Sequence, residues 1–207
     1  MNLANKLTVV RIALVIIILI ISVISIPGEI FKGVFGIGTS VSVSLLIINL
    51  IFIIASITDW LDGKIARKRN MITTFGKFLD PLADKILVIT AMIILVEVGR
   101  LPSWIPAVIL LREFVVSGYR LLAVEKGGQV IAASIWGKLK TVTQMIAIVL
   151  AFIDPYRFFA FIGNRSDFTT LGLVLNAITS IMMIISVIAT VFSGWDYIKN
   201  GKELFKD

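Results

Sequence analysis

The sequence predicts an all-α polytopic membrane protein: six transmembrane helices in a single domain over residues 1–207, led in by a short N-terminal interfacial helix. Three observations predict it. Hydrophobic residues make up 58% of the chain and mean hydropathy is +1.01, which excludes an ordinary soluble globule. Apolar runs of about 20 residues, the length that crosses a bilayer, recur six times. Lysine and arginine are divided unequally between the two sets of connections.

The spans fall at 8–26, 40–61, 78–98, 104–124, 134–153 and 169–194. Before the first, Leu3, Leu7 and Val10 recur at helical spacing with Lys6 and Arg11 elsewhere on the turn, which predicts the interfacial helix. Asn5 and Thr8 either cap this helix or reach a site. No convincing cleavage site follows the first apolar run, so it reads as a span and not as a signal peptide. Pro27 to Thr39 form a glycine-rich, mildly amphipathic loop. Pro102 and Pro106 open the fourth span, where a missing N–H is tolerated, and Asp154–Pro155 closes the fifth.

Orientation follows from the basic residues. One side carries Lys6, Arg11, Lys64, Arg67, Lys68, Arg69, Lys77, Lys126, Lys138, Lys140, Lys199, Lys202 and Lys206; the other carries Lys32, Arg100, Arg157 and Arg165. The positive-inside rule puts both termini in the cytoplasm, as an even number of spans requires. The net charge of +7 therefore reads as membrane topology, with no nucleic-acid partner. The chain has no cysteine and no histidine. Disulfides, thiolate nucleophiles, zinc–thiolate sites and His-dependent hydrolysis or phosphatidyl transfer are excluded, and acid–base work falls to Asp, Glu, Lys, Tyr or water.

Against this apolar background, four of the 13 acidic residues fall between Asp59 and Asp84, in the pattern D-x2-D-G-x2-A-R-x8-G-x3-D-x3-D. On a helix Asp59 and Asp62 lie about 60° apart, and with Gly63 and Ala66 they share an arc of about 100°. Gly76, Asp80 and Asp84 recur every four residues, each about 40° from the last, provided the helix starts early enough to include Gly76. Two helical faces thus present paired carboxylates beside small residues. A solvated acidic cap partnered by Arg67, Lys68 and Arg69 is the plainer alternative. Ionisable groups at membrane depth usually mark a site, however, and crowded carboxylates raise one another's pKa unless cations neutralise them. Oxygen ligands alone suit Mg²⁺ or Mn²⁺, one or two ions.

Two further clusters are basic. In the fourth span Arg112, Glu113 and Arg120 lie within about 100° of helix circumference. Arg112 is deep enough to need a partner or a watery cavity: a local pair with Glu113, a pair between Arg120 and Glu113, or a phosphate site. In the fifth span Lys138 and Lys140 enter on nearly opposite faces, either snorkelling to the interface or turned toward the same anion, with Gly137 leaving room and Thr141 offering a hydroxyl.

The eight residues Asp59, Asp62, Gly63, Ala66, Arg67, Gly76, Asp80 and Asp84 match, position by position, the signature of the CDP-alcohol phosphotransferases, and the chain resembles that family. The signature is confined to residues 59–84, although the hydropathy pattern is similar over the whole length. The RExxVSxxR run followed by GKxKT is similar to the phosphatidylglycerophosphate synthase branch.

The resemblance implies CDP-diacylglycerol as donor, its pyrophosphate bridged by metal on Asp59, Asp62 and Asp80, with Asp84 nearby as metal ligand and candidate general base. It implies a nucleotide site at Asp62, Gly63, Ala66, Arg67 and Gly76, and it favours the second role for Thr8. Lys85, next to Asp84, is expected merely to pair with it. Arg112, Arg120, Lys138, Lys140 and Thr141 favour an acceptor that carries its own phosphate: glycerol 3-phosphate, with inositol phosphate as the alternative. A homodimer in the lipid bilayer of the inner (cytoplasmic) membrane, with its site facing the cytoplasm, is the expected assembly. A divalent-cation transporter is the more remote reading, disfavoured because the acids gather at one face and no inverted repeat is visible.

Overall fold

The computed structural model describes residues 3–24, 26–69, 74–125, 135–163 and 166–200; at 3–7, 59–81, 124–125 and 200 it describes the backbone alone. Among the described residues six α-helices follow one another: α1 (Leu3–Ile24), α2 (Val43–Arg69), α3 (Thr74–Glu97), α4 (Trp104–Glu125), α5 (Ile135–Ile153) and α6 (Thr170–Asn200). Each contains most of one expected apolar segment. By length and composition two of them, over Ile135–Ile153 and Thr170–Lys199, are long and apolar enough to cross a membrane, and Thr8–Ile24 and Val43–Thr58 are shorter apolar stretches. The expected separate interfacial helix is corrected: residues 3–24 form one continuous helix. Leu7 and Val10 therefore continue the apolar pattern of the segment behind them, with no breaker between. The same continuity removes the capping role of Asn5 and Thr8, which lie inside the helix.

Helix α5 packs chiefly against three others. Its most extensive partner is α6, and α2 and α3 also touch it, while α1 lies against α2 and α3. Core side chains come from every helix: Ile18, Ile48, Phe52, Leu87, Met92, Ile109, Ile148, Phe152 and Met183 are completely or almost completely buried. The Phe52 and Phe152 rings meet at 6.5 Å, and Asn49 Nδ2 donates to the Val149 carbonyl at 3.2 Å, tying α2 to α5. Helix α6 buries a face of small and polar residues, among them Asn176, Thr179, Ser180, Ser186, Thr190, Ser193 and Tyr197. Small side chains let backbones approach closely, and Thr179 and Thr190 satisfy their hydroxyls on their own helix, at the carbonyls of Leu175 and Ser186.

At the end opposite the aspartate motif the connections knit together. The loop expected between Pro27 and Thr39 contains a short strand, β1 (Glu29–Ile30), which pairs antiparallel with β2 (Val41–Ser42) just beyond it, and α2 begins at Val43. Thr169 caps α6: its Oγ accepts from the Gly172 N–H at 3.1 Å and donates to the Val34 carbonyl at 2.9 Å. Tyr156 donates its hydroxyl to the Phe35 and Asp167 carbonyls at 3.0 and 3.1 Å. Arg100, between α3 and α4, donates to the Ala151 and Phe152 carbonyls at 3.1 and 2.7 Å and so satisfies the C-terminus of α5. This outer plate fixes one end of the bundle. The aspartate motif lies at the other.

Candidate active site

Helix α2 carries Asp59 and Asp62 in its last turns, and α3 carries Asp80 and Asp84 in its first turns. Because α3 starts at Thr74, Gly76 is inside it and the four-residue spacing of Gly76, Asp80 and Asp84 is helical, as the sequence required. The two helices touch each other. The side chains of Asp59, Asp62, Gly63, Ala66, Arg67, Gly76 and Asp80 lie outside the described residues, so the metal and nucleotide assignments rest there on helical position alone. Asp84 is described, and it faces a cavity.

Helices α3, α4 and α5 form that cavity. Asp84, Lys85, Glu113, Lys140 and Thr141 supply its polar side. Val88, Ile89, Ile109 and Met145 supply an apolar wall, with Gln144 between. Glu113 organises the charges. Its Oε1 accepts from Arg112 Nη1 at 2.8 Å and from Lys140 Nζ, while Oε2 lies 3.8 Å from Lys85 Nζ. Lys85 also donates to the Ser117 hydroxyl, which in turn donates to the Glu113 carbonyl at 2.7 Å. Cations from three helices thus meet one carboxylate.

The fate of each expected basic residue follows from helix geometry. Lys138 and Lys140 stand about 200° apart on α5. Lys140 is buried and enters the cavity, whereas Lys138 is exposed. Thr141 lines the cavity although its hydroxyl donates back to the Gly137 carbonyl at 3.1 Å. Arg112 joins through Glu113 and also donates to Ser193 on α6. Of its three nitrogens, buried Nε has no hydrogen-bond partner. Arg120 pairs with the Tyr197 hydroxyl at 2.7 Å, in place of the pair with Glu113 that the sequence allowed. Thr8 and Arg11 are buried on α1.

Ser117, Gln144, Ser193 and Tyr197 are the members of this neighbourhood that sequence reasoning left without a role, and Lys85, weighed there only as a partner for Asp84, also meets Glu113. Ser193 and Tyr197 had a weak signal, four residues apart at the end of the last apolar run. The donor set around the motif suits a hard divalent cation: four carboxylates on touching helices, with no His or Cys anywhere in the chain.

The sequence model of a family described as CDP-alcohol phosphatidyltransferase matches residues 1–192. The chain is 41% identical to a CDP-diacylglycerol–glycerol-3-phosphate 3-phosphatidyltransferase of Bacillus subtilis, over 99% of this chain and 97% of that protein. It is 36% identical to a probable phosphatidylglycerophosphate synthase of Mycobacterium tuberculosis, over 95% of this chain and 80% of that protein. It is 34% identical to a Rickettsia bellii protein bearing the same name as the Bacillus enzyme, over 99% of this chain and 97% of that one. A family match over nearly the whole length, on a chain whose aspartates sit at helical spacing on adjoining helix ends, shows that this protein is an enzyme and belongs to the CDP-alcohol phosphatidyltransferase family.

Proposed function

We propose that the enzyme transfers the phosphatidyl group of CDP-diacylglycerol to glycerol 3-phosphate, giving phosphatidylglycerophosphate and CMP. The observation that carries the choice of acceptor is the convergence of Lys85, Arg112 and Lys140 beside Asp84. An alcohol such as serine or inositol has no use for three cations, whereas a phosphomonoester does. Inositol phosphate shares that charge, and the names of the relatives favour glycerol 3-phosphate over it.

In this reading Asp59, Asp62, Asp80 and Asp84 hold one or two Mg²⁺ or Mn²⁺ ions. When bound, these ions neutralise the pyrophosphate and make the acceptor hydroxyl more acidic. Gly63, Ala66 and Gly76 leave room for the nucleotide, Arg67 balances its charge, and Thr8 lies on the neighbouring α1. Lys140 and Arg112 grip the acceptor's phosphate and hold its free hydroxyl toward the donor. The hydroxyl oxygen attacks the lipid-side phosphorus. A new P–O bond forms as the pyrophosphate P–O bond breaks, and CMP leaves with the bridging oxygen. Asp84 takes the hydroxyl proton and passes it to solvent.

The same reading places six spans across the cytoplasmic membrane, with both termini and the site on the cytoplasmic side. Helices α3 and α4 carry charges of the site itself within these spans, among them Asp84, Lys85, Arg112 and Glu113. Outward-facing Ile16, Ile17, Leu19 and Ile20 on α1 and Leu111, Phe114 and Leu121 on α4 make apolar surfaces suited to lipid or to the second copy of a homodimer.

An acceptor screen tests the proposal. Purified protein receives CDP-diacylglycerol, Mn²⁺ and, in turn, glycerol 3-phosphate, inositol phosphate, inositol or serine, and product mass is read. Phosphatidylglycerophosphate is expected from glycerol 3-phosphate, with little product from the others. Asp59→Asn and Asp80→Asn are expected to abolish CMP release while remaining folded in detergent, and near-normal turnover by either sinks the metal assignment.

A further inference from the structure

The transfer reaction makes no use of Glu113. Its carboxylate is nevertheless the centre of the charged cluster, held by Arg112 from its own helix, Lys140 from α5 and Lys85 from α3. The partners are well shielded, with side-chain exposure of 12% for Arg112, 10% for Lys140 and 17% for Glu113. One carboxylate cannot satisfy three cations. Arg112 Nε stays buried without a hydrogen-bond partner, while its other two nitrogens go to Glu113 and Ser193.

Among the described residues around the cavity, Lys85, Arg112 and Lys140 face Glu113 and Asp84, a net of one positive charge. A phosphomonoester brings close to two negative charges and three terminal oxygens. Arg112 and Lys140 therefore cannot serve the carboxylate and an incoming phosphate in full at the same time. Nor can they stand bare when the acceptor is absent, because unpaired cations at this depth are costly.

We propose that Glu113 is the resident counter-anion of the acceptor site, a specificity-determining residue that holds Lys140 and Arg112 until an acceptor phosphate displaces it. This rests on the reading of those cations as the acceptor-phosphate site. It follows that an acceptor must bring a group charged enough to displace a carboxylate from two cations, which neither a neutral polyol nor serine, with one carboxylate beside an ammonium group, does.

Thermal unfolding in detergent, in phosphate-free buffer and with inorganic phosphate at constant ionic strength, tests this without relying on turnover. Glu113→Gln is expected to melt below the wild type without phosphate. Phosphate is expected to close most of that gap, with a half-saturating concentration about tenfold below that of the wild type. Glu113→Asp, which keeps the charge on a shorter arm, is expected to fall between them and carries the comparison alone if Glu113→Gln does not fold. The double variant Glu113→Gln/Lys140→Gln is expected to lose the phosphate effect. A melting gap that phosphate leaves unchanged overturns the inference, because Glu113 is then only a structural partner. Lys140→Gln tests the underlying reading separately: if KM for glycerol 3-phosphate is unmoved, the acceptor site is misplaced. If that KM rises and phosphate still fails to rescue the Glu113 variants, the counter-anion role alone is wrong.

Discussion

Arg120 donates to the hydroxyl of Tyr197 at 2.7 Å, and its guanidinium carbon stands 5.4 Å from the centroid of the same ring. Arg112, two turns earlier on α4, approaches that ring to 5.8 Å and donates to Ser193, one turn before Tyr197 on α6. Both α4 arginines are thus set by one short stretch of α6, through a hydroxyl, a π face and a second hydroxyl. Tyr197 and Ser193 are buried and Gly194 is close-packed: a Cβ there would stand 3.2 Å from Arg112 Cγ. The family match ends at residue 192, just before these positions.

Tyr197→Phe keeps the ring and removes the hydroxyl. Because the hydroxyl holds Arg120, one of the residues assigned to the acceptor's phosphate, the expected outcome is a KM for glycerol 3-phosphate raised about two- to tenfold. KM for CDP-diacylglycerol and kcat should change little. Steady-state kinetics in detergent, varying each substrate in turn, checks this. An equal rise in both KM values would mean that Tyr197 supports the whole bundle and not the acceptor side.

The outer plate gives a prediction about stability. A Cβ on Gly172 would lie 1.9 Å from the Phe35 carbonyl oxygen and 2.8 Å from its carbon, and one on Gly36 would lie 1.8 Å from the Tyr156 hydroxyl. The first obstacle is backbone, held in place by the Thr169 N–H at 3.0 Å, and it cannot swing aside as a side-chain end can. Gly172→Ala should therefore destabilise the protein by about 1–3 kcal/mol, as overpacking typically does. Gly118→Ala on α4 is the matched control: its added methyl meets nothing within 4 Å, and alanine favours a helix. Thermal unfolding of the two variants beside the wild type checks the contrast. Equal melting temperatures would mean that the plate yields.

How much of this was visible in the residues alone depends on sequence distance. The aspartate motif was legible because its order is local: two carboxylates three apart and two four apart share helix faces whatever the rest of the chain does. The six helices were legible because apolar runs and prolines punctuate them. Their ends were not, since α2 continues to Arg69 and α6 to Asn200 through polar turns that hydropathy reads as loop. The opposition of Lys138 and Lys140 was also legible, but which of them faces inward was decided by packing of α5 against α6, α2 and α3. The pairs between Arg120 and Tyr197 and between Lys140 and Glu113 join residues 77 and 27 positions apart, and no periodicity reports such contacts. The reading of Arg120 as a partner for Glu113 failed for this reason: it weighed only neighbours on one helix, and the competing hydroxyl stood on another.

Asp154 supplies a pH dependence with a definite sign. It follows the last residue of α5, is buried, and accepts from the Tyr156 N–H at 3.0 Å and from Asn176 Nδ2 at 2.7 Å. Burial pushes its carboxyl up to about 6 from 3.8, against the opposing pull of those two donors and of the Arg100 charge. The folded protein then binds a proton more readily than the unfolded chain. The stabilising contribution is complete below about pH 4 and is lost as pH rises through about 6, reaching about 3 kcal/mol in total. Asp154→Asn keeps the shape and cannot ionise. The melting temperature of the wild type minus that of Asp154→Asn should therefore fall between pH 4 and pH 7 and level off above it. Thermal unfolding of both proteins across that range checks the sign. If the wild type instead gains on the variant as pH rises, attraction to Arg100 outweighs burial and the carboxyl titrates below its ordinary range.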